Sequence, residues 1–331
     1  MAKASEKQVA VVGGDTLLAR EIREVLEANK PAPRIQLIAA ATGDSPVVAV
    51  EEHEAVVMIP LSTKSLEGCS IAFLAGTAAS SRRTLKVTPE NGPTLIDLTG
   101  SLDDQAEARL RAPSAEVPEA SNQTPIQVIA HPAAIAITML LTRLSTLAKI
   151  RAANIHVFEP ASERGQRGIE ELRKQTVSVL TFKKLDTDVF DTQLAFNVLA
   201  RYGEEALEPL EDIEQRIERH TASLLSRWPN LPMPSIRLIQ PPVFHGHSFS
   251  VWVEFESEVA ADAIAPTLAS HGVDVRPDEP PSNANIAGQS GLSVGAIHAD
   301  PNHPRAYWIW MVVDNLRLTA ENAVAVAKAW L

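Results

Sequence analysis

The sequence predicts an α/β fold in two parts: a doubly wound domain built on a parallel sheet, then an α+β domain. Short, continuously apolar segments recur between helical stretches in the N-terminal part, which is typical of parallel strands buried on both faces. Farther along, Ser248–Phe255 alternates apolar and polar residues, a pattern that suits a strand with one buried face. The length of 331 residues is enough for about two domains.

The first domain is predicted to span residues 1–130. Its first strand, Val9–Val12, runs into Gly13-Gly14, which indicates a tight turn before a helix from Leu17 to Asn29. Further strands are predicted from short apolar runs at residues 35–40, 56–59, 71–75, 94–98 and 126–130. A C-terminal helix within about residues 315–331 is expected to complete this domain. Ligands of such a sheet bind at the carboxyl ends of the strands.

The second domain is assigned to residues 131–314. Its predicted helices cover residues 134–149, 168–180 and 208–225, and its predicted strands cover residues 155–158, 236–239, 248–255 and 308–313. The segment from Ala112 to Pro125 is rich in Pro, Ser and Glu, and it is the predicted linker before this domain.

Composition excludes several classes of protein. The net charge of −11 repels phosphate backbones, so nucleic acid is not an expected partner. The chain has one cysteine, Cys69, which fits a reducing cytoplasm because no intramolecular disulfide can form. The N-terminus lacks the apolar stretch of a signal peptide, and the apolar run Ala133–Leu141 is too short to span a bilayer. We therefore expect a cytoplasmic protein with no membrane segment.

Four segments follow one another at residues 11–22, 165–176, 242–248, and 312–317 together with 322–324. In this order they resemble the aspartate-semialdehyde dehydrogenase family of amino-acid biosynthesis. The second of these is the most specific and resembles the family's dimerisation helix. The resemblance implies a Rossmann-like NAD(P)-binding domain, a dimerisation domain of the semialdehyde dehydrogenase type, and a homodimer.

The resemblance also exposes a missing nucleophile. Enzymes of this family attack the substrate with a cysteine thiolate. The cysteine follows an asparagine and lies at the start of the long helix that leaves the first domain. A thiolate suits this role because it is nucleophilic near neutral pH. Here the cysteine aligns with Pro132 or Ala133, and neither can attack a carbonyl. Cys69 precedes an earlier strand and is interpreted as a buried structural thiol.

Other positions implied by the resemblance have changed as well. His247 matches the family's catalytic base, with a structural histidine as the equally weighted alternative. Gln240 stands where the family has the arginine that binds the substrate carboxylate, and Glu159 stands where it has a glutamine. A carboxylate at Glu159 would repel an anionic acyl intermediate.

The cofactor positions implied by the resemblance are Gly13, Gly14, Thr16, Leu17, Asn315 and Asn322. Thr16 is expected to crowd the approach of a pyrophosphate, whereas the last two positions could equally be structural. The loop from Ala40 to Ser45 offers no arginine to a 2′-phosphate and contains Asp44, so NAD is favoured over NADP. Retained binding and lost binding both remain open.

A metal site is not predicted, because the histidines show no metal-binding spacing and are interpreted as scattered. The histidines considered are His131, His245, His247, His298 and His303. The sequence therefore predicts a homologue without the standard phosphate-dependent reaction, with a non-catalytic or dinucleotide-binding role. The alternative is an active NAD(P)-dependent oxidoreductase that acts on a semialdehyde-like or other substrate by a changed mechanism.

Overall fold

A computed structural model describes residues 7–41, 46–51, 54–116, 124–269 and 272–331. The chain forms two compact units. Unit 1 comprises residues 1–130 and 319–331, and unit 2 comprises residues 131–318.

Unit 1 is built on a parallel sheet of strand order β2-β1-β5-β6-β8-β7. These strands are β1 (Gln8–Val12), β2 (Arg34–Ile38), β5 (Cys69–Leu74), β6 (Thr94–Asp97), β7 (Ala108–Arg111) and β8 (Ile126–Ile129). Two further strands, β3 (Val47–Glu51) and β4 (Glu54–Met58), pair antiparallel. The helices are α1 (Leu17–Ala28), α2 (Thr63–Leu66) and α3 (Ala78–Val87), and the part of α8 (Asn315–Ala327) from residue 319 onward also belongs to unit 1.

The doubly wound parallel sheet confirms the predicted fold class. The continuously apolar strands are buried on both faces, because the successive residues Val9, Ala10, Val11 and Val12 of β1 are all 0% exposed. The predicted linker at residues 112–125 is wrong, because this segment joins β7 to β8, two neighbouring strands of one sheet. Of that segment, residues 117–123 lie outside the described part of the chain.

Unit 2 is built on a mixed sheet of strand order β10-β9-β11-β14-β13-β12. These strands are β9 (Ile150–Phe158), β10 (Ser235–Ile239), β11 (His247–Phe255), β12 (Val273–Arg276), β13 (Leu292–Ala299) and β14 (Ala306–Val313). The helices are α4 (Pro132–Leu144), α5 (Gly165–Leu180), α6 (Leu210–Leu225) and α7 (Ala261–Leu268), with a short 3-10 helix at Ala161–Arg164.

The two faces of this sheet differ. Phe249, Val251 and Val253 on β11 are 0% exposed, whereas the alternate residues Ser250, Trp252 and Glu254 are only partly buried. This confirms the predicted one-sided strand. Helix α4 packs against α6 and α7, and it ends at Leu144 rather than at the predicted Lys149.

The outer face of the sheet carries three tryptophans. Trp252 on β11 pairs with Trp308 on β14, and Trp310 lies two residues farther along β14. The Trp252 indole donates to Asp300 at 2.8 Å, while Trp308 is 38% exposed. We call this the tryptophan face.

Helix α5 fixes the path of residues 181–209, which contain no helix and no strand beyond a single bridge at Leu199. The Glu171 carboxylate accepts the N–H groups of Val189 and Phe190 at 2.6 and 3.2 Å. Gln175 uses both ends of its amide, and we refer to its four backbone contacts as the Gln175 clamp. Its Nε2 donates to the carbonyls of residues 186 and 192 at 2.8 and 3.0 Å, and its Oε1 accepts from residues 194 and 195 at 2.7 and 3.1 Å.

None of the described helices combines the length and the apolar character needed to cross a bilayer.

Candidate functional site

The first helix of unit 2 begins at the position where the resemblance predicts the family's nucleophile. His131 is the N-cap of α4, and its Nδ1 accepts the N–H of Ala133 at 3.2 Å. Pro132 and Ala133 are the first two helical residues. Proline suits this position because an N–H group in the first turn would have no partner within the helix, so its absence costs nothing. All three side chains are buried, and neither Pro132 nor Ala133 offers a reactive atom.

His247, at the start of β11, faces two carboxylates. Its Nε2 lies 3.3 Å from Glu159 Oε2, and its Nδ1 lies 3.9 Å from Glu163 Oε1. His131 approaches the same group from α4, because its Nε2 lies 3.7 Å from Glu163 Oε2. The two imidazole rings meet edge to face with centroids 5.6 Å apart. The expectation that the histidines are scattered is therefore wrong for His131 and His247.

Two arginines form ion pairs with two of the carboxylates in this part of the structure. Arg164 donates to Glu159 Oε1 at 3.1 Å and also contacts Glu208. Arg216 donates to the other oxygen of Glu208 at 2.9 Å. Although desolvation alone would raise the pKa of Glu208, the two guanidinium groups lower it below its usual value. Both arginines are thus already paired with carboxylates.

Burial shifts the pKa values of Glu163 and His131 toward their neutral forms. Desolvation raises the pKa of Glu163, and the nearby Glu159 adds to this effect. Desolvation also holds the pKa of His131 well below its ordinary value, aided by the neighbouring His247.

Gln240 is held by its surroundings. Its Nε2 donates to the carbonyls of Glu159 and Pro241 at 2.8 and 2.9 Å, and its Oε1 accepts the hydroxyl of Tyr202 at 2.6 Å. The residue is 0% exposed. It therefore acts in this structure as a structural amide.

Asn315 is buried and lies in the same cluster. Its Nδ2 donates to Glu163 at 2.7 Å, and its Oδ1 accepts from Ser162 Oγ and from the N–H of Gly246 at 3.1 and 3.2 Å. Unit 2 thus brings together four residues singled out from the sequence: Glu159, Gln240, His247 and Asn315.

The other predicted cofactor residues belong to unit 1. Gly13 has φ +86°, and a Cβ there would lie 2.5 Å from the Cα of Gly76, so only glycine fits this turn. Gly14, Thr16 and Leu17 follow at the start of α1. Asn322 lies in the same unit, where its side chain accepts the N–H of Ser114 at 2.9 Å.

Thr16 has a different role from the one expected. Its hydroxyl donates to the carbonyl of Ala75 at 2.9 Å and accepts the N–H of Ala19 at 3.1 Å, so it is the N-cap of α1. The presence of Thr16 at this turn is therefore explained by the cap of its own helix and by its bond to the residue after β5, apart from the expected crowding of a pyrophosphate.

Sequence reasoning missed an arginine at the end of β2. Arg83, on α3, donates to the carbonyl of Ala40, just beyond that strand. Residues 42–45, including Asp44, lie outside the described part of the chain. A residue brought in from another helix leaves no signal in the loop itself, so only the fold reveals it.

Cys69 is a buried thiol at the start of β5 in unit 1, as predicted. Gln8 Nε2 donates to its sulfur at 3.6 Å, and burial nevertheless raises the pKa of the thiol. Both features describe a structural cysteine.

Comparison with known proteins defines the class of this chain. The sequence profile of the family described as "Semialdehyde dehydrogenase, dimerisation domain" matches residues 141–318. The chain belongs to this family, and over its whole length it is a homologue of the aspartate-semialdehyde dehydrogenases.

Particular relatives include a USG-1 protein homolog from Pseudomonas aeruginosa, 28% identical over 97% of this chain and 96% of the relative. An aspartate-semialdehyde dehydrogenase from Rickettsia bellii is 26% identical with the same coverage. The solved structure of a probable aspartate-semialdehyde dehydrogenase from Pseudomonas aeruginosa matches with a TM-score of 0.83, 26% identity and 98% coverage of both chains.

A solved aspartate-semialdehyde dehydrogenase from Candida albicans contains NADP. It matches with a TM-score of 0.69 at 14% identity, covering 98% of this chain and 99% of that one, and this likeness shows the shared fold alone.

Proposed function

We propose that this protein is an aspartate-semialdehyde dehydrogenase homologue that lacks the phosphate-dependent dehydrogenase reaction and acts as a dimeric binding protein. The single observation that carries the proposal is the start of α4, where Pro132 and Ala133 stand in place of a thiol. The only cysteine of the chain, Cys69, is buried in the parallel sheet of unit 1.

The surrounding groups support the same conclusion. A substrate carboxylate needs an available cation, but Gln240 is neutral and bonded on both sides. The cation of this cluster that lies deepest, Arg164, is 9% exposed and already contacts Glu159 and Glu208. The charge of a buried guanidinium that is paired with two carboxylates is already compensated, so it attracts an anionic ligand weakly.

A steady-state assay of NADP reduction with aspartate semialdehyde and phosphate tests this proposal. We expect no activity above the uncatalysed background, because losing a covalent nucleophile typically costs many orders of magnitude. A turnover of about 1 per second, an ordinary enzymatic rate, would overturn the proposal.

Dinucleotide binding is a separate question, and unit 1 supports it in part. The residues fit a dinucleotide at two places. Gly13, with φ of +86°, makes the strand-to-helix turn, and the N-terminus of α1 offers amide N–H groups that favour a phosphate. When bound, a nicotinamide dinucleotide would supply hydride chemistry, and the residues of this turn would hold its phosphates.

The preference for NAD over NADP stays a prediction, and Arg83 is the residue that tests it. A guanidinium near the end of the second strand can accommodate a 2′-phosphate. Calorimetry should compare NAD, NADP and the variant Arg83→Ala, with Arg82→Ala on the exposed side of α3 as the matched control. NADP binding that is tighter than NAD binding and is lost only in Arg83→Ala would overturn the preference for NAD.

An alternative function is an oxidoreductase that does not use a covalent intermediate. The observation that favours it is the pair of His247 and Glu159, a possible base and its orienting carboxylate, 3.3 Å apart. A melting temperature that is unchanged by both NAD and NADP would exclude this oxidoreductase, because a dinucleotide-dependent enzyme must be stabilised by its cofactor.

The dimer is proposed to form through unit 2, which the family profile describes as a dimerisation domain. The tryptophan face supports this, because a partly exposed aromatic sheet face is the kind of surface that a self-complementary two-fold interface buries. Light scattering is expected to give twice the monomer mass of 35.7 kDa. A mass near the monomer value at micromolar concentration would refute the dimer.

A further inference from the structure

We propose that His131, His247 and Glu159 form a buried binding site for one divalent metal ion of the zinc type. One ligand-type atom of each residue lies within 4.8 Å of the corresponding atoms of the other two, and all three residues are buried. The three come from three different elements, namely the cap of α4, the start of β11 and the residue after β9.

The spacing between the His247 and Glu159 atoms fits two ligands of one ion better than it fits a direct hydrogen bond. Zinc binds imidazole nitrogen at about 2.0–2.1 Å, so neighbouring ligands of a tetrahedral site lie about 3.4 Å apart. His247 Nε2 and Glu159 Oε2 are 3.3 Å apart, which is longer than the usual N–H···O distance. Two imidazoles and one carboxylate form a donor set that zinc and other first-row divalent ions accept.

Two buried nitrogen atoms provide a second, independent observation. Neither His131 Nε2 nor His247 Nδ1 has a hydrogen-bond partner among the described residues. Buried polar atoms are normally satisfied, and a bound ion would satisfy His131 Nε2 directly. Glu163 lies 3.7 Å from that nitrogen, close enough to contribute a fourth ligand.

Surrounding residues already orient the ligands. The Oε1 of Glu159 accepts from Arg164, so its Oε2 is the oxygen that faces His247. Asn315 holds Glu163 at 2.7 Å. Such outer contacts fix the ligands of metal sites. Binding through His131 Nε2 places that ring's proton on Nδ1, so the 3.2 Å contact with the Ala133 N–H is given up.

Because the site is buried, the ion must enter during folding. The protein should therefore be produced in medium supplemented with Zn²⁺, washed with EDTA, and analysed for metal content. We expect one zinc per chain that resists the wash. Production with Co²⁺ instead should give the visible absorption of a tetrahedral nitrogen and oxygen site. Absence of retained zinc and of the cobalt spectrum would overturn the proposal.

Variants locate the ion. Glu159→Gln is nearly isosteric and should reduce retained zinc at least tenfold, and His247→Gln should do the same. His156→Ala, an exposed histidine on β9, is the matched control and should retain the metal. Retention in both site variants, or loss in the control alone, would place the metal elsewhere and refute the site. Nitrogen chemical shifts of the imidazoles in the wild type give a readout without any substitution, because zinc must move the His131 proton to Nδ1.

Discussion

Replacement of Gln175 by alanine should destabilise unit 2 without touching the His131–Glu159 cluster. The buried amide of Gln175 makes the four backbone contacts of the clamp, at 2.7 to 3.1 Å. The variant leaves two N–H groups and two carbonyls of residues 181–209 without these partners. A hydrogen bond contributes about 1 kcal/mol net, and an unsatisfied buried group costs more. Because some of these groups will reach water, we expect a loss of about 3 kcal/mol.

Urea denaturation measures this loss as a change in the midpoint at constant slope. Gln166→Ala is the matched control, because Gln166 lies on the same helix, is exposed, and donates from its side chain to Glu170 at 3.0 Å. The control should cost less than about 0.5 kcal/mol. Hydrogen exchange should show faster exchange of the amides of residues 194 and 195. A loss below about 1 kcal/mol, or unchanged exchange at those amides, would show that the clamp does not determine the path of this segment.

Four further predictions follow from the site and the surfaces. Ala133→Cys should not create semialdehyde dehydrogenase activity, because the substrate-binding cation is absent too; measurable phosphate-dependent turnover would contradict this. Arg164→Gln should cost about 3–5 kcal/mol in urea, because it leaves the buried Glu159 carboxylate without its guanidinium partner, and a loss under about 1 kcal/mol would refute that role. Trp308→Glu should shift the protein toward the monomer in light scattering, whereas an intact dimer would exclude the tryptophan face. Thr16→Val should cost about 1 kcal/mol through the lost cap of α1; unchanged thermal stability would show that the cap contributes nothing.

The fold could be predicted because its signals are local. Continuous apolar runs marked β1, β5 and β6, and the alternation of β11 marked a one-sided sheet. The elements that were missed have weaker local signals. Helix α3 carries small and polar residues in its first turns and relies on the Thr77–Ser80 capping box, and β7 is partly buried along its whole length.

The site was harder to predict, because its residues are assembled by tertiary structure. His247 and Glu159 were singled out from the resemblance, but nothing in their separation along the chain indicates that they touch. Glu163 and Arg164 were overlooked because charged residues next to a helix usually face solvent. Here the 3-10 helix at Ala161–Arg164 turns them inward, and only the structure shows that turn.

The buried position of Cys69 has a consequence for oxidative stress. Enzymes that depend on an exposed thiolate lose activity when peroxide or an electrophile modifies the sulfur. In this chain the single sulfhydryl is 8% exposed, and its pKa is raised by burial, so it presents little thiolate to such reagents. The protein should therefore continue to function under oxidising conditions that inactivate thiol-dependent dehydrogenases.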